Sequence, residues 1–282
     1  MITLHKTISV VILIMVKSLA VLGSIAVIVV AMYITSKNNS DKTSLSNQTP
    51  TNSQAMHGDG QNVMGHNVNY YNDSFGYFAK PSDSMNYPGV IMIHEWWGLN
   101  DNIRNMADSL AAEGYQVLAV DLYDGKVAET PERARELTGS LDQKEALQNL
   151  KAAKTYLTQN NASKIASLGW CFGGGQSMQL SLAEDLDATV IYYGNLVTNE
   201  ESLNNIDWPV LGIFGSEDQS IPVDTVREFE QSLNNLNIEN SIHIYEGVGH
   251  AFANPSGANY APEETQDAWN KTLQFLDENI KS

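Results

Sequence analysis

The chain of 282 residues contains a single cysteine, Cys171. One thiol cannot form an internal disulfide or a multi-cysteine metal site, so both are excluded, and the redox compartment is left open. Basic residues are also scarce, since 16 Lys and Arg stand against 33 Asp and Glu, for a formal net charge of −17. Nucleic-acid binding is driven largely by phosphate neutralisation, so nucleic acid is not an expected partner.

One long apolar run stands out, residues 8–34, which read ISVVILIMVKSLAVLGSIAVIVVAMYI. A helix of about 20 such residues crosses a bilayer. The run is longer than the apolar region of a usual signal peptide, so we expect residues 1–35 to form an uncleaved transmembrane anchor, with a cleaved signal segment as the alternative. Lys6 and Lys17 weakly favour a cytoplasmic N-terminus. The chain after residue 35 would then lie outside the cytoplasm. It would be anchored to the membrane or, if the N-terminal segment is cleaved, secreted.

A polar segment, residues 36–62, follows the apolar run and is rich in Ser, Thr, Asn and Gln. It has almost nothing to bury, so we expect a flexible linker. Four histidines and methionines in or near it are interpreted as incidental rather than as a copper site: Met56, His57, Met64 and His66. No metal is expected.

From residue 63 to residue 282, short apolar runs alternate with amphipathic helical stretches. That order predicts one α/β domain, a mostly parallel sheet with helices on both faces. The candidate strands are residues 90–94, 116–120, 164–168, 188–193, 210–214 and 241–245, after an antiparallel hairpin of residues 68–71 and 76–79. Apolar residues at helical spacing predict helices around residues 103–110, 226–236 and 269–280. We expect a monomer.

The single cysteine lies in the stretch SLGWCFGGGQS, between a buried strand and a helical pattern. The form G-x-nucleophile-x-G is typical of a strained strand-to-helix turn, in which Gly169 and Gly173 supply the necessary clearance. The helix N-terminus would offer the Phe172 N–H to an oxyanion and favour negative charge on sulfur. The alternatives are a buried small hydrophobe or a phosphate-binding turn.

Two further residues follow Cys171 in the chain order of a hydrolase triad, each just beyond a later strand. Asp218 would hold the imidazole tautomer of His250, and His250 would take the thiol proton and later return it to the leaving group. The acid could also be Glu217 or Asp121.

Two other histidines, His94 and His243, fall within apparent strands and are interpreted as satisfied core residues. No basic carrier-docking patch or resolving cysteine is visible, which disfavours an acyl-carrier or thiol-redox protein.

Three segments together resemble the dienelactone hydrolase family of α/β-hydrolases: HEWWGLNDNIRNMADSLAAEGYQVLAVDLY, GSEDQSIP and GHAF. The resemblance implies an α/β-hydrolase fold and cleavage of a small ester or lactone by a Cys171, Asp218 and His250 triad. It implies an oxyanion hole formed by the N–H groups of Trp96 and Phe172, and no metal or organic cofactor.

The family likeness also implies a role for Glu95, whose counterpart contacts the resting thiol. Such a carboxylate would disfavour the thiolate. The alternative for Glu95 is a solvated loop position. A non-catalytic homologue that binds a small ligand or a partner is the alternative for the whole domain.

Substrate specificity is less well defined by the resemblance. Family members that act on dienelactone clamp its carboxylate with arginines, but Asn254 occupies one matching position here, and Arg133 or Arg135 would supply the other. Five aromatic residues are candidates for an apolar pocket, with plain core as the alternative: Trp96, Trp97, Phe172, Tyr192 and Phe252.

The first testable prediction concerns the N-terminal 62 residues, which should contribute nothing to the core. A truncated chain that begins at Val63 should be soluble and monodisperse, with the ester turnover of the full chain. Size-exclusion chromatography and p-nitrophenyl acetate hydrolysis measure this. Insoluble or unfolded protein would show that the linker packs on the domain.

Overall fold

Eight strands form one sheet in the computed structural model, which describes residues 62–281. The strands are β1 (Val63–Tyr71), β2 (Ser74–Pro81), β3 (Gly89–Ile93), β4 (Gln116–Val120), β5 (Ile165–Trp170), β6 (Ala188–Tyr192), β7 (Val210–Gly215) and β8 (Asn240–Tyr245). Their order across the sheet is β1-β2-β4-β3-β5-β6-β7-β8. The β1–β2 hairpin and the β2–β4 pair are antiparallel, and every other neighbouring pair is parallel.

Seven helices in the described residues connect or follow these strands. They are α1 (Asp101–Ala112), α2 (Pro131–Gly139), α3 (Gln143–Gln159), α4 (Phe172–Ser181), α5 (Glu200–Leu203), α6 (Val223–Asn235) and α7 (Pro262–Leu276), and a π-helical turn, Asp277–Lys281, extends α7. Polar side chains cap several N-termini; the Asn100 side chain, for example, accepts a hydrogen bond from Ile103 N.

The helices cover both faces of the sheet and divide the core in two. Helices α1 and α7 enclose one cluster of buried side chains, and α2, α3, α4 and α6 enclose the other. All residues of β3 to β7 are therefore buried, which is why these strands are continuous apolar runs rather than alternating ones. Strand β8 lies at the edge and is only half-buried.

The predicted α/β-hydrolase fold, its mostly parallel sheet and its leading hairpin are confirmed. Strand ends lie within two residues of those expected, except that β1 begins at Val63, five residues before the expected start at residue 68. Strand β3 ends at Ile93, so His94 follows the strand instead of lying within it. Helices α2 and α3 were not predicted, although buried residues of α3 do show a helical spacing: Ala146, Leu150, Ala153 and Leu157.

The predicted anchor, residues 1–35, lies outside the described residues, and so does all of the predicted linker except its last residue. Within residues 62–281, every helix is too short or too polar to cross a membrane. Met64 and His66 belong to strand β1 rather than to a linker.

Candidate active site

Cys171 occupies a sharp turn between β5 and α4. Its backbone angles, φ 54° and ψ −116°, lie in a region that non-glycine residues rarely adopt. The backbone holds this conformation through two hydrogen bonds, from Cys171 N to Tyr192 O at 3.0 Å and from Gly175 N to Cys171 O at 3.1 Å. The turn presents the thiol at the carboxyl edge of the sheet, where Cys171 is only partly buried.

The two glycines predicted to supply clearance at this turn are required by close backbone contacts. A Cβ added to Gly169 would lie 2.1 Å from Gly173 O, and one added to Gly173 would lie 2.3 Å from Ile93 O. Neither contact can relax without moving backbone, so α4 can approach β3 and β5 this closely only with glycine at both positions.

Cys171, His250 and Asp218 form one hydrogen-bonded chain. Cys171 Sγ lies 3.0 Å from His250 Nε2, and His250 Nδ1 lies 2.8 Å from Asp218 Oδ2. The other oxygen, Asp218 Oδ1, accepts hydrogen bonds from Ser220 N at 2.7 Å and Ile221 N at 3.0 Å. With its side chain fully buried, Asp218 is therefore fixed on one side by backbone and on the other by the imidazole.

Parallel strand ends bring these three residues together. Asp218 follows β7 and His250 follows β8, two adjacent strands whose carboxyl ends meet at the same edge as that of β5. The two loops are joined by a hydrogen bond from Glu217 N to Val248 O at 2.9 Å, and Asn259 Nδ2 donates to His250 O at 2.9 Å.

The protonation of His250 is controlled by its neighbours. Burial disfavours the imidazolium, but the hydrogen bonds to Asp218 and Cys171 outweigh burial and raise the pKa of His250 to about 10. The imidazole is therefore a strong acceptor for the proton of the adjacent thiol.

Glu95 is not hydrogen-bonded to the thiol, whereas the sequence analysis expected a contact between them. Its side chain is buried, Oε2 accepts a hydrogen bond from Asn254 Nδ2, and Oε1 has no partner among the described residues. The physical reason is competition, because the imidazole is a better acceptor for a weak S–H donor, and the Asn254 amide offers Glu95 a stronger donor.

The electrostatic state of Glu95 is nonetheless unusual. Burial raises its pKa to about 7, although His250 and the Asn254 amide act in the opposite direction. A neutral amide partner compensates a buried carboxylate less than a guanidinium would. Glu95 therefore changes charge close to neutral pH.

The two residues predicted to form an oxyanion hole lie on neighbouring segments. Trp96 is in the loop after β3, and Phe172 is the first residue of α4, where backbone N–H groups lack an acceptor within the helix. The Trp96 and Trp97 rings are in contact, with centroids 5.0 Å apart and an interplanar angle of 64°. Both indoles are partly buried.

The predicted arginines belong to α2 and are paired with acids of the same helix. The Arg133 side chain is partly exposed and the Arg135 side chain is largely exposed. Arg133 pairs with Glu136 at 2.6 Å and Arg135 with Glu132 at 3.5 Å. The Arg135 guanidinium also lies over the Trp96 ring, 5.9 Å from its centroid. Arg135 is therefore the arginine that the structure connects to the oxyanion loop.

Two residues predicted to line a substrate pocket belong instead to the core. Tyr192 is 1% exposed and its hydroxyl is hydrogen-bonded to Thr272 Oγ1 at 2.7 Å. Phe252 is fully buried against Tyr193 and Tyr245. Strand β6 directs Tyr192 into the core, because residues before the strand end face the helices that cover the sheet.

Tyr193, which the sequence analysis missed, packs against the catalytic candidates. Its ring is 5.3 Å from that of His250, and its buried hydroxyl has no hydrogen-bond partner among residues 62–281. Burial, with the nearby charges of Glu95 and Cys171, raises the pKa of Tyr193 well above its usual value. The doubled tyrosine at the end of a buried strand was the available signal, since both residues are buried in the same core cluster at the carboxyl edge of the sheet.

The alternative acids are placed elsewhere. Glu217 is exposed, and both carboxylate oxygens of Asp121 accept hydrogen bonds from its own loop, from Tyr123 N and Gly125 N. His94 is fully buried with both ring nitrogens bonded, and His243 in β8 is half-buried beside Ser241. Among the candidate acids, Asp218 is the one in contact with His250.

Comparison with known proteins places this geometry in a family. Residues 75–280 match the family model described as the dienelactone hydrolase family. Protein usf of Aquifex pyrophilus is 33% identical over 217 residues, which cover 72% of this chain and 92% of that protein. A provisionally named carboxymethylenebutenolidase of Saccharolobus solfataricus is 30% identical over 227 residues, which cover 66% of this chain and 88% of that protein.

A solved structure supports the same assignment. The crystal structure of a provisionally named dienelactone hydrolase from Klebsiella pneumoniae is 26% identical, with a TM-score of 0.71, and the match covers 77% of this chain and 99% of that one. The chain therefore belongs to the dienelactone hydrolase family, as an α/β-hydrolase that acts on carboxylic ester bonds.

Proposed function

We propose that the chain hydrolyses small esters or lactones with Cys171 as nucleophile, His250 as general base and acid, and Asp218 as the residue that orients His250. The observation that carries this proposal is the continuous chain from Sγ through both imidazole nitrogens to a buried carboxylate. The three residue types, in this contact order, are those that nucleophilic acyl transfer requires.

In the acylation step, Sγ attacks the carbonyl carbon once its proton has passed to His250 Nε2, where the raised pKa of the imidazole holds it. The carbonyl oxygen gains the negative charge, which the N–H groups of Trp96 and Phe172 would stabilise. When the intermediate collapses, the bond between the carbonyl carbon and the alkoxy oxygen breaks. The leaving oxygen takes the proton from Nε2, and the acyl group remains on Cys171 as a thioester.

In the deacylation step, His250 removes a proton from water, and the resulting hydroxide attacks the thioester carbon. The carbon–sulfur bond then breaks and the acid product leaves. The proton on Nε2 returns to sulfur, which restores the starting state. Asp218 keeps Nε2 directed at the reacting atoms through both steps, because it holds Nδ1.

We further propose that the substrate carries no carboxylate beside the reacting ester. The Asn254 amide donates to Glu95, and its oxygen accepts from Ser256 N at 2.9 Å and Ser256 Oγ at 2.8 Å, so its oxygen and one of its two N–H donors are engaged. A substrate anion at this position would meet the ionisable Glu95 without a compensating cation from Asn254. Small neutral esters and lactones avoid this cost.

The alternative function is a non-catalytic homologue that binds a small ligand or a partner. The contacts within the Cys171, His250 and Asp218 chain favour the enzyme, since a binding protein has no need of a basic imidazole aligned with a thiol.

For residues 8–34, we propose a transmembrane anchor that leaves the hydrolase domain outside the cytoplasm. The apolar composition of that segment supports this proposal. Alkaline carbonate extraction of membranes that express the full chain, with protease protection of the domain, would test it.

The second prediction concerns the nucleophile. Cys171→Ala should abolish p-nitrophenyl acetate turnover, and Cys171→Ser should retain a small residual rate because a hydroxyl is a weaker nucleophile in a site built for a thiol. Circular dichroism controls for folding. Wild-type turnover by Cys171→Ala would refute the mechanism.

The third prediction concerns the acid. Asp218→Asn should lower kcat at least about 100-fold, because the amide no longer fixes the imidazole tautomer. Glu217→Gln, one residue away and exposed, is the matched control and should leave kcat unchanged. Equal losses in the two variants would contradict the assignment.

The same substitution has a pH signature in stability. The raised pKa of His250, about 10, means that its contribution to stability is complete below its unfolded pKa of about 6.5 and is lost as pH rises toward the folded value. Asp218→Asn should make the melting temperature fall less between pH 7 and pH 10 than in wild type or Glu217→Gln. Parallel curves for all three proteins would count against the hydrogen bond as the cause.

The fourth prediction concerns Glu95. Below about pH 7 Glu95 is largely neutral and resembles glutamine, whereas above about pH 7 its negative charge disfavours the Cys171 thiolate. Alkylation of Cys171 by iodoacetamide should therefore proceed at similar rates in wild type and Glu95→Gln at low pH and faster in Glu95→Gln at high pH. Coincident pH–rate profiles would show that the Glu95 charge does not reach the thiol.

A further inference from the structure

His94 is fully buried at the end of β3, and both of its ring nitrogens are hydrogen-bonded to backbone. Nδ1 lies 2.6 Å from Glu95 O, and Leu122 N lies 3.2 Å from Nε2. The imidazole thereby joins the loop after β3 to the loop after β4.

The chemistry of these partners fixes the tautomer. The Leu122 backbone N–H can only donate, so Nε2 must be the unprotonated nitrogen. Nδ1 therefore carries the proton and donates it to Glu95 O. Burial lowers the pKa of His94, which keeps the ring neutral and preserves both hydrogen bonds.

The acceptor of this bond belongs to the peptide unit that contains the Trp96 N–H. No peptide bond in the described residues is cis, and in a trans peptide the C=O and N–H point in opposite directions within one plane. A donor that fixes Glu95 O therefore fixes the direction of the Trp96 N–H. Within residues 62–281, Gly98 N makes the other hydrogen bond to this oxygen, and it is longer, at 3.2 Å.

His94 also contacts the second half of the oxyanion hole. Its ring is stacked on Phe172, with centroids 5.8 Å apart and an interplanar angle of 23°. A Cβ on Gly173 would lie 2.5 Å from His94 O, which shows how closely the first turn of α4 approaches this residue. One side chain thus contacts both segments that would supply oxyanion donors.

We infer that His94 is a positioning residue that aims the Trp96 N–H at the developing oxyanion. The inference rests on the proposed Cys171 hydrolase. The hydrogen bond from Nδ1 also polarises the Glu95–Trp96 peptide and makes its N–H a stronger donor. His94 acts on the transition state through this peptide and does not itself touch the substrate.

Two variants of the full chain separate the two ring nitrogens. The amide of His94→Asn can reach the place of Nδ1 and still donate to Glu95 O, whereas the amide of His94→Gln reaches the place of Nε2 and loses that donor. His94→Gln should lower kcat for p-nitrophenyl acetate about 10- to 100-fold, by analogy with loss of an oxyanion donor. KM should change little, because the oxyanion forms only in the transition state. His94→Asn should retain most of kcat.

The rate at which iodoacetamide alkylates Cys171 serves as the control for a general structural defect. Such a defect would lower this rate, whereas the loss of one oxyanion donor would not. Alkylation uses the same thiol and imidazole but displaces iodide from a tetrahedral carbon and forms no oxyanion. Both variants should therefore alkylate Cys171 at the wild-type rate. Equal kcat in the two variants, or alkylation that falls in parallel with ester turnover, would overturn the role of His94.

A measurement on the unsubstituted chain keeps the inference testable if both variants unfold. Nitrogen-15 NMR of histidine-labelled full chain in detergent should show His94 with a protonated Nδ1 and a bare Nε2 from pH 6 to pH 8. A protonated Nε2 would overturn the inference. Failure of the proposed Cys171 mechanism has a different sign: ester turnover would persist in Cys171→Ala. In that case the inferred role of His94 would be wrong as well.

Discussion

The site depends on one backbone constraint, the approach of the first turn of α4 to the ends of β3, β5 and β6. Gly173 packs against the carbonyls of Ile93 and His94, and Cys171 N is bonded to Tyr192 O. These contacts hold Cys171 in a left-handed conformation that an isolated turn would not maintain. The same approach brings the Phe172 N–H beside the loop that contains Trp96. The proposed nucleophile and oxyanion donors are thus positioned by a single packing contact.

Strain at this edge of the sheet is not limited to the nucleophile. Among described residues other than Gly, Asn and Asp, the positive-φ positions are Cys171 (54°), Tyr193 (34°) and Ala251 (60°). Tyr193 packs on His250 and Ala251 follows it in the chain. Each such conformation costs of order 1–3 kcal/mol and persists only where surrounding structure enforces it. Their grouping around one imidazole indicates that the position of His250 is what the surrounding packing maintains.

The sequence predicted the sheet, its parallel core and the Cys171, Asp218 and His250 contacts because each rests on a local pattern. Apolar runs mark buried strands, and residues just beyond parallel strands meet at one edge. Helix α3 was not predicted, although its buried residues show a helical spacing. The hydrogen-bond partner of Glu95 does not follow from a local pattern, because Asn254 lies 159 positions away in the chain. Glu95 binds the Asn254 amide rather than the thiol as the result of a competition among donors. Whether Tyr192 or Tyr193 packs against His250 likewise depends on the exact residue at which β6 ends.

The two buried carboxylates of the site illustrate how similar groups acquire different chemistry. Asp218 receives two backbone N–H groups and an imidazole, so both of its oxygens have hydrogen-bond partners. Glu95 receives one neutral amide and leaves Oε1 unpaired, so burial dominates and its pKa rises to about 7. Leaving a buried polar atom unpaired costs roughly 1–3 kcal/mol.

Three buried side-chain oxygens in the described residues lack a partner, and two of them, Glu95 Oε1 and Tyr193 Oη, are close to the thiol. The third, Gln116 Oε1, lies away from the site, so two of the three unpaired oxygens place their cost beside the proposed reacting groups. Asp218 is thus held in one position by three hydrogen bonds. Glu95, in contrast, can gain or lose a proton near neutral pH, which makes it the variable electrostatic element beside the proposed triad.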